Sequence, residues 1–149
     1  MNVAMGGSRS LVLTADVAKQ ILRHMSQLPP HTKILLRRGS STEVNPIERL
    51  IADLSGTLDI EFEWCVPEGF GRAATFARDV TMVERSDALI VYFDEDHLME
   101  GGTGHLVEKA IDRDTPTWAY SFGEDGMQRI GEIDSTPGSP AEVLSSILV

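Results

Sequence analysis

Ala88-Leu89-Ile90-Val91-Tyr92-Phe93 is apolar at every position. A strand with one wet face alternates in polarity, so an uninterrupted run of this length predicts a central strand covered on both faces. Strands of that kind belong to parallel sheets flanked by helices. Upstream, 73–84 reads as a helix, and before it Ile60, Phe62, Trp64 and Val66 alternate with Glu61, Glu63 and Cys65, the pattern of an edge strand. Asn45-Pro46-Ile47-Glu48 is a helix start: Asn caps, Pro fits the first turn, and Glu48 can reach back to the cap. That helix is expected to run to about Leu54, with Gly56 just beyond. Lys33 to Leu36 is a strand ending in Arg37-Arg38-Gly39. Thr14 to Leu28 carries apolar residues at helical spacing (Val17, Ile21, Leu22, Met25, Leu28) until Pro29-Pro30 stops it. The chain opens on a short strand, Asn2 to Met5, that runs into Gly6-Gly7-Ser8-Arg9-Ser10.

Downstream, Gly101-Gly102-Thr103-Gly104-His105 leads into a helix to about Ile111 and then a strand over Thr117 to Tyr120. Residues 123–138 are rich in Gly, Pro and turn formers. Ser139-Pro140-Ala141-Glu142 is a second capping box, opening a short helix over 139–148. Alternation of strands and helices implies right-handed crossovers. The expected fold is a single α/β domain over 1–149: a Rossmann-like, three-layer arrangement with a five-stranded, mainly parallel sheet of order 3-2-1-4-5 and helices on both faces.

The 149 residues carry 13 basic and 23 acidic side chains, a formal charge of -10, and hydrophobic residues make up 42%. So acidic a chain lacks the clustered Lys and Arg that neutralise polymeric phosphate, so DNA and RNA are not expected partners. No apolar run reaches the roughly 18 residues that span a bilayer, so no membrane partner is expected either. Residues 1–7 lack the basic and apolar regions of a secretion signal, and the one cysteine, Cys65, allows no internal disulfide; both predict a reducing cytoplasm.

In an open sheet of this order, ligands bind beyond the carboxyl ends of the strands where the strand order reverses, between the loops after the first and fourth strands. Those are the two glycine-rich segments. Gly6, Gly7, Ser8, Arg9 and Ser10 combine close backbone approach, hydroxyl donors and a cation, or they form a turn that merely needs glycine. The segment is neither a G-x-G-x-x-G fingerprint nor a Walker loop. Gly101, Gly102, Thr103, Gly104 and His105 stand where helix amides can meet a phosphate; His105 either donates to an anion or covers the helix start. Glu108 falls about one turn in, either against the ligand or as a solvated carboxylate. Arg78 faces inward at the ligand end or is a surface arginine paired with Asp79 or Glu84. Asp94-Glu95-Asp96-His97 form a solvated acidic loop, or Asp94 and Asp96 bind sugar hydroxyls or a divalent cation. Cys65 reads as packing, and Phe62, Trp64 and Trp118 as core. No metal and no cofactor is called for.

Three stretches together, Phe76-Ala77-Arg78-Asp79-Val80-Thr81-Met82, Ser86-Asp87-Ala88-Leu89-Ile90 and Gly101 to Glu108, resemble the SLOG superfamily. Its Lonely-guy branch carries an R-K-x-x-M helix, an A-D-A-hydrophobic strand and a P-G-G-x-G-T-x-x-E loop. Here Glu100 stands for the Pro, His105 for the Thr and Asp79 for the Lys. The Gly-Gly-Thr-x-His form of the loop is closer to superfamily members of the YspA and YpsA type. The resemblance implies that Arg78 and Glu108 are catalytic and that Gly101, Gly102 and Gly104 hold a phosphate. It implies N-glycosidic cleavage of a nucleoside 5′-monophosphate, and a homodimer. Two functions are therefore expected in competition: an N-glycosidase, or a non-catalytic protein that senses or sequesters a small nucleotide-derived ligand.

Overall fold

A computed structural model of the chain describes residues 1–39, 44–130, 138–140 and 144–145. Strands and helices alternate as β1 (Asn2–Gly7), α1 (Ala15–Ser26), β2 (Lys33–Arg37), α2 (Pro46–Thr57), β3 (Glu61–Cys65), α3 (Arg72–Glu84), β4 (Ala88–Asp94), α4 (Gly101–Asp112), β5 (Thr117–Gly123) and β6 (Gly126–Arg129). The sheet has six strands in the order β3-β2-β1-β4-β5-β6. The first five run parallel, and β6 returns antiparallel to β5 across a tight turn at Glu124-Asp125. The expected order 3-2-1-4-5 is present, extended by one strand. Gly126-Met127-Gln128-Arg129 lacks the apolar alternation that announces a strand, and its pairing comes from the hairpin turn instead.

β4 is buried along almost its whole length, and its side chains divide between two cores. Ala88, Ile90 and Tyr92 join Val17, Ile21 and Met25 of α1 and Ile47 and Ile51 of α2 on one face. Leu89, Val91 and Phe93 join Met82 and Val83 of α3 and Leu106, Val107 and Ala110 of α4 on the other. Helices therefore cover both faces, as pairs: α1 with α2, α3 with α4. Trp118 is fully buried, whereas Phe62 and Trp64 on edge strand β3 are only partly covered and pack on the rim of the first core.

Three boundaries differ from the sequence reading. β1 extends through Gly6 and Gly7, so these glycines are strand, paired in register with Val91 and Tyr92. α4 begins at Gly101, so Gly101 to His105 form its first turn rather than a loop before it. Gly56 lies inside α2 rather than just past it, because the helical hydrogen bonding continues to the Leu58 amide, which bonds the Leu54 carbonyl. Of the helix expected over 139–148, Pro140, Leu144 and Ser145 are helical, and Leu144 is buried in the first core. Ser139 precedes it without helical structure; residues 141–143 and 146–148, and 131–137 of the expected 123–138 segment, lie outside the described residues. No helix among the described residues is long and apolar enough to cross a membrane.

Candidate functional site

α1 and α2 start on side-chain caps, Thr14 to the amide of Val17 and Asn45 to that of Ile47. Glu48, three residues after Asn45, was expected to reach back to this cap. It turns the other way. Its carboxylate accepts from Arg37 Nε (2.9 Å) and Nη2 at the end of β2, and the Gly7 amide adds a further hydrogen bond. Glu48 is almost wholly buried, which pushes its carboxyl up, while Arg37 pulls it down. The same Arg37 Nη2 donates to the Thr103 hydroxyl (2.7 Å) and to the Gly7 carbonyl (3.3 Å).

Gly7 O is the common acceptor at this point. It takes the Thr103 hydroxyl at 3.0 Å and the Asn45 side-chain amide at 3.1 Å. The ends of β1 and β2 and the first turns of α2 and α4 thus meet on one carbonyl. The two glycine-rich segments, 96 residues apart, are joined here.

Two of the glycines have a packing reason. A side chain at Gly7 would collide with Ile47 of α2, and one at Gly104 would run into the Met99 carbonyl. Close helix–strand and turn packing therefore explains them without a ligand. Gly101 and Gly102 differ: both are exposed. α4 also has no side-chain cap and no acidic residue in its first turn, which leaves its leading amides available. In the first segment, Ser8 is buried and shares a 2.7 Å hydrogen bond between hydroxyls with Ser10, while Arg9 is exposed.

Arg78 and His105 meet through a residue that sequence reasoning assigned only as a surface partner. Asp79 is fully buried between α3 and α4. Its Oδ1 accepts Arg78 Nε at 2.9 Å, and its Oδ2 lies 3.1 Å from His105 Nδ1. Arg78 Nη1 donates to the Arg38 carbonyl (2.9 Å), so this arginine faces inward and is also paired with Asp79. The His105 ring stacks on Phe76 with centroids 4.2 Å apart, and the Arg72 guanidinium lies 5.9 Å over the same phenyl ring. Glu108 is exposed and makes no hydrogen bond or ion pair with Arg78, His105 or either glycine segment.

A cleft of about 390 Å³ separates β3 from α3, lined by Trp64, Cys65, Arg78, Thr81, Met82 and Arg85 among others. Cys65 is buried against its floor, and burial pushes its thiol up, the reverse of what a nucleophilic cysteine needs. The acidic loop after β4 folds onto itself: Asp94 Oδ1 accepts the Asp96 amide (3.0 Å) and His97 pairs with Glu100 (2.7 Å). Among the described residues, no three His, Cys, Asp or Glu side chains converge on a point where a metal could sit.

Of the residues singled out in the sequence, the structure gathers Gly6, Gly7, Ser8 and Thr103 around the end of β1, and Arg78 with His105, two residues after Thr103 on α4, in the α3–α4 seam. It leaves Arg9 and Glu108 at the surface. Arg37, Glu48, Asn45 and Asp79 complete the two clusters. Glu48 had a signal, its place in the capping box, although that signal pointed to a different partner. No family model, no curated protein and no solved structure matches the chain.

Proposed function

We propose that the carboxyl ends of β1 and β4 bind a nucleotide or nucleoside-derived small ligand, and that the reaction supported there is hydrolysis of the N-glycosidic bond of a nucleoside 5′-monophosphate. The observation that carries this reading is the hydrogen bond from Thr103 to the Gly7 carbonyl. It holds the two glycine-rich segments together at the point where the strand order reverses, the position at which open α/β sheets take their ligands. The 5′-phosphate would meet the exposed Gly101-Gly102 turn and the free amides of α4, with Arg9 and the Ser8–Ser10 hydroxyls on the opposite side. Phe70 and Val12, 88% and 71% exposed on the loops after β3 and β1, offer apolar surface to a base. The resemblance to the SLOG superfamily points to the same ligand class, and it adds a homodimer to the reading.

A second reading, a non-catalytic protein that senses or sequesters the same ligand, is favoured by a specific observation. Glu108 stands at the surface without a partner among the described residues, and Arg78 is tied to Asp79 and Arg38. Thermal-shift measurement with AMP, GMP, cyclic AMP and ADP-ribose, with product analysis of each hit, separates the two. A ligand at 100 times its dissociation constant stabilises the fold by about 2.7 kcal/mol, a shift of several degrees for a domain of this size. Release of free base and sugar phosphate supports the hydrolase. A hit recovered intact supports the sensor. Failure of every nucleotide to raise the melting temperature overturns both.

A further inference from the structure

We infer that His105 is the proton-transferring group of this site and that Asp79 is the residue that positions it. The inference rests on the nucleotide reading for its substrate and on the α3–α4 seam for its geometry. A carboxylate without solvent contact in a helix–helix interface is costly unless its charge is used. Here both oxygens are committed: Oδ1 to Arg78 Nε and Oδ2 to His105 Nδ1. Arg78 can only donate. Asp79 is therefore held as the acceptor for His105, which places the ring proton on Nδ1 and leaves the lone pair on Nε2.

Nε2 has no hydrogen-bond partner among the described residues and is not one of their buried unpaired atoms, and the His105 side chain keeps 15% of its surface exposed. Phe76 covers one face of the ring and limits its rotation. A fixed tautomer, an oriented ring and an open basic nitrogen are what a general base requires.

The step balances as follows. Nε2 takes a proton from a bound water as the water oxygen bonds to the anomeric carbon. The carbon–nitrogen bond breaks with its electron pair going to the departing base. That base is protonated by the imidazolium, which returns His105 to its starting form.

Because Arg78 Nε must keep an oxygen partner, the amide of Asp79→Asn has to turn its carbonyl to Arg78 and its amino group to His105. That reverses the tautomer and places the proton on Nε2. Nitrogen-15 NMR of the unliganded protein reads this directly, and diethyl pyrocarbonate, which acylates the imidazole lone pair, reads its consequence. The expected result is an Nδ1-protonated His105 that is acylated faster than exposed His31, and an Nε2-protonated, slowly acylated ring in Asp79→Asn. With AMP as substrate, His105→Gln lowers kcat by roughly a hundred-fold or more with KM little changed. An Nε2-protonated ring in the parent protein overturns the proposal, as does acylation unaffected by Asp79→Asn, or full kcat in His105→Gln. The tautomer of the parent protein needs no variant and stands if Asp79→Asn fails to fold. Absence of AMP cleavage while tautomer and acylation behave as stated overturns the hydrolase reading and leaves the dyad in place.

Discussion

Arg37 and Glu48 form an ion pair almost out of contact with water, their side chains 11% and 1% exposed. Arg37 is held from both sides, by Glu48 and by Thr103, and Glu48 also takes the Gly7 amide. Removing one partner strands the other's charge in the interior. Arg37→Met is expected to cost about 3–5 kcal/mol. The double variant Arg37→Met, Glu48→Met removes both charges and should recover a large part of that loss. Urea denaturation of the three proteins checks it; equal losses in the single and double variants would argue against the pair as the cause.

Gly7→Ala drives a methyl group into Ile47, and overpacking of this kind costs about 1–3 kcal/mol. Shortening the neighbour, as in Gly7→Ala with Ile47→Ala, should return part of the stability. Gly104→Ala meets the backbone carbonyl of Met99 instead, so no side-chain change can relieve it. Thermal denaturation is expected to show rescue at the first position and none at the second.

His24 is buried against Tyr92 and Tyr120, with Nδ1 2.8 Å from the Tyr92 hydroxyl. Burial, helped by Arg23, lowers its pKa from 6.5 to about 4. The unfolded chain therefore binds this proton more readily than the folded one. The neutral ring's contribution to stability is complete above pH 6.5 and is lost as pH falls toward 4. Melting temperature against pH should drop across that interval, and the drop should shrink in His24→Gln.

The thiol of Cys65 is buried and pushed up by its surroundings. Its reaction with a thiol reagent is expected to be at least about ten-fold slower in the native protein than in urea. Native reactivity matching that of the unfolded chain would show the β3–α3 cleft to be open to its floor.

The parallel core of this fold is legible because each strand announces itself by composition. Ala88 to Phe93 is apolar throughout, Ile60 to Val66 alternates, and the Pro29-Pro30 stop and the Asn45-Pro46 start mark helix ends with local chemistry. β6 is not legible, since Met127 is its one apolar residue and a hairpin partner supplies the rest. The position of the site follows from strand order, which patterning does reach. Its wiring does not. Arg37 finds Glu48 eleven residues away and His105 finds Asp79 across 26, through contacts that no periodicity encodes. Glu108 shows the converse: spacing from the glycines placed it near the site, yet the rotation of α4 that buries Leu106, Val107 and Ala110 turns it outward. In the sequence Gly7 and Gly104 point to room for a ligand, whereas the structure accounts for them by what they allow to pack.

The carbonyl of Gly7 is shared by Asn45, Arg37 and Thr103, side chains contributed by a helix cap, a strand end and another helix's first turn. Four elements pinned to a single oxygen leave little slack. The floor of the ligand end is thus preorganised: its ordering entropy is spent when the chain folds, not when a ligand arrives. Association there should be quick and largely rigid-body, with adjustment confined to the surrounding loops, and the floor should look the same with and without an occupant.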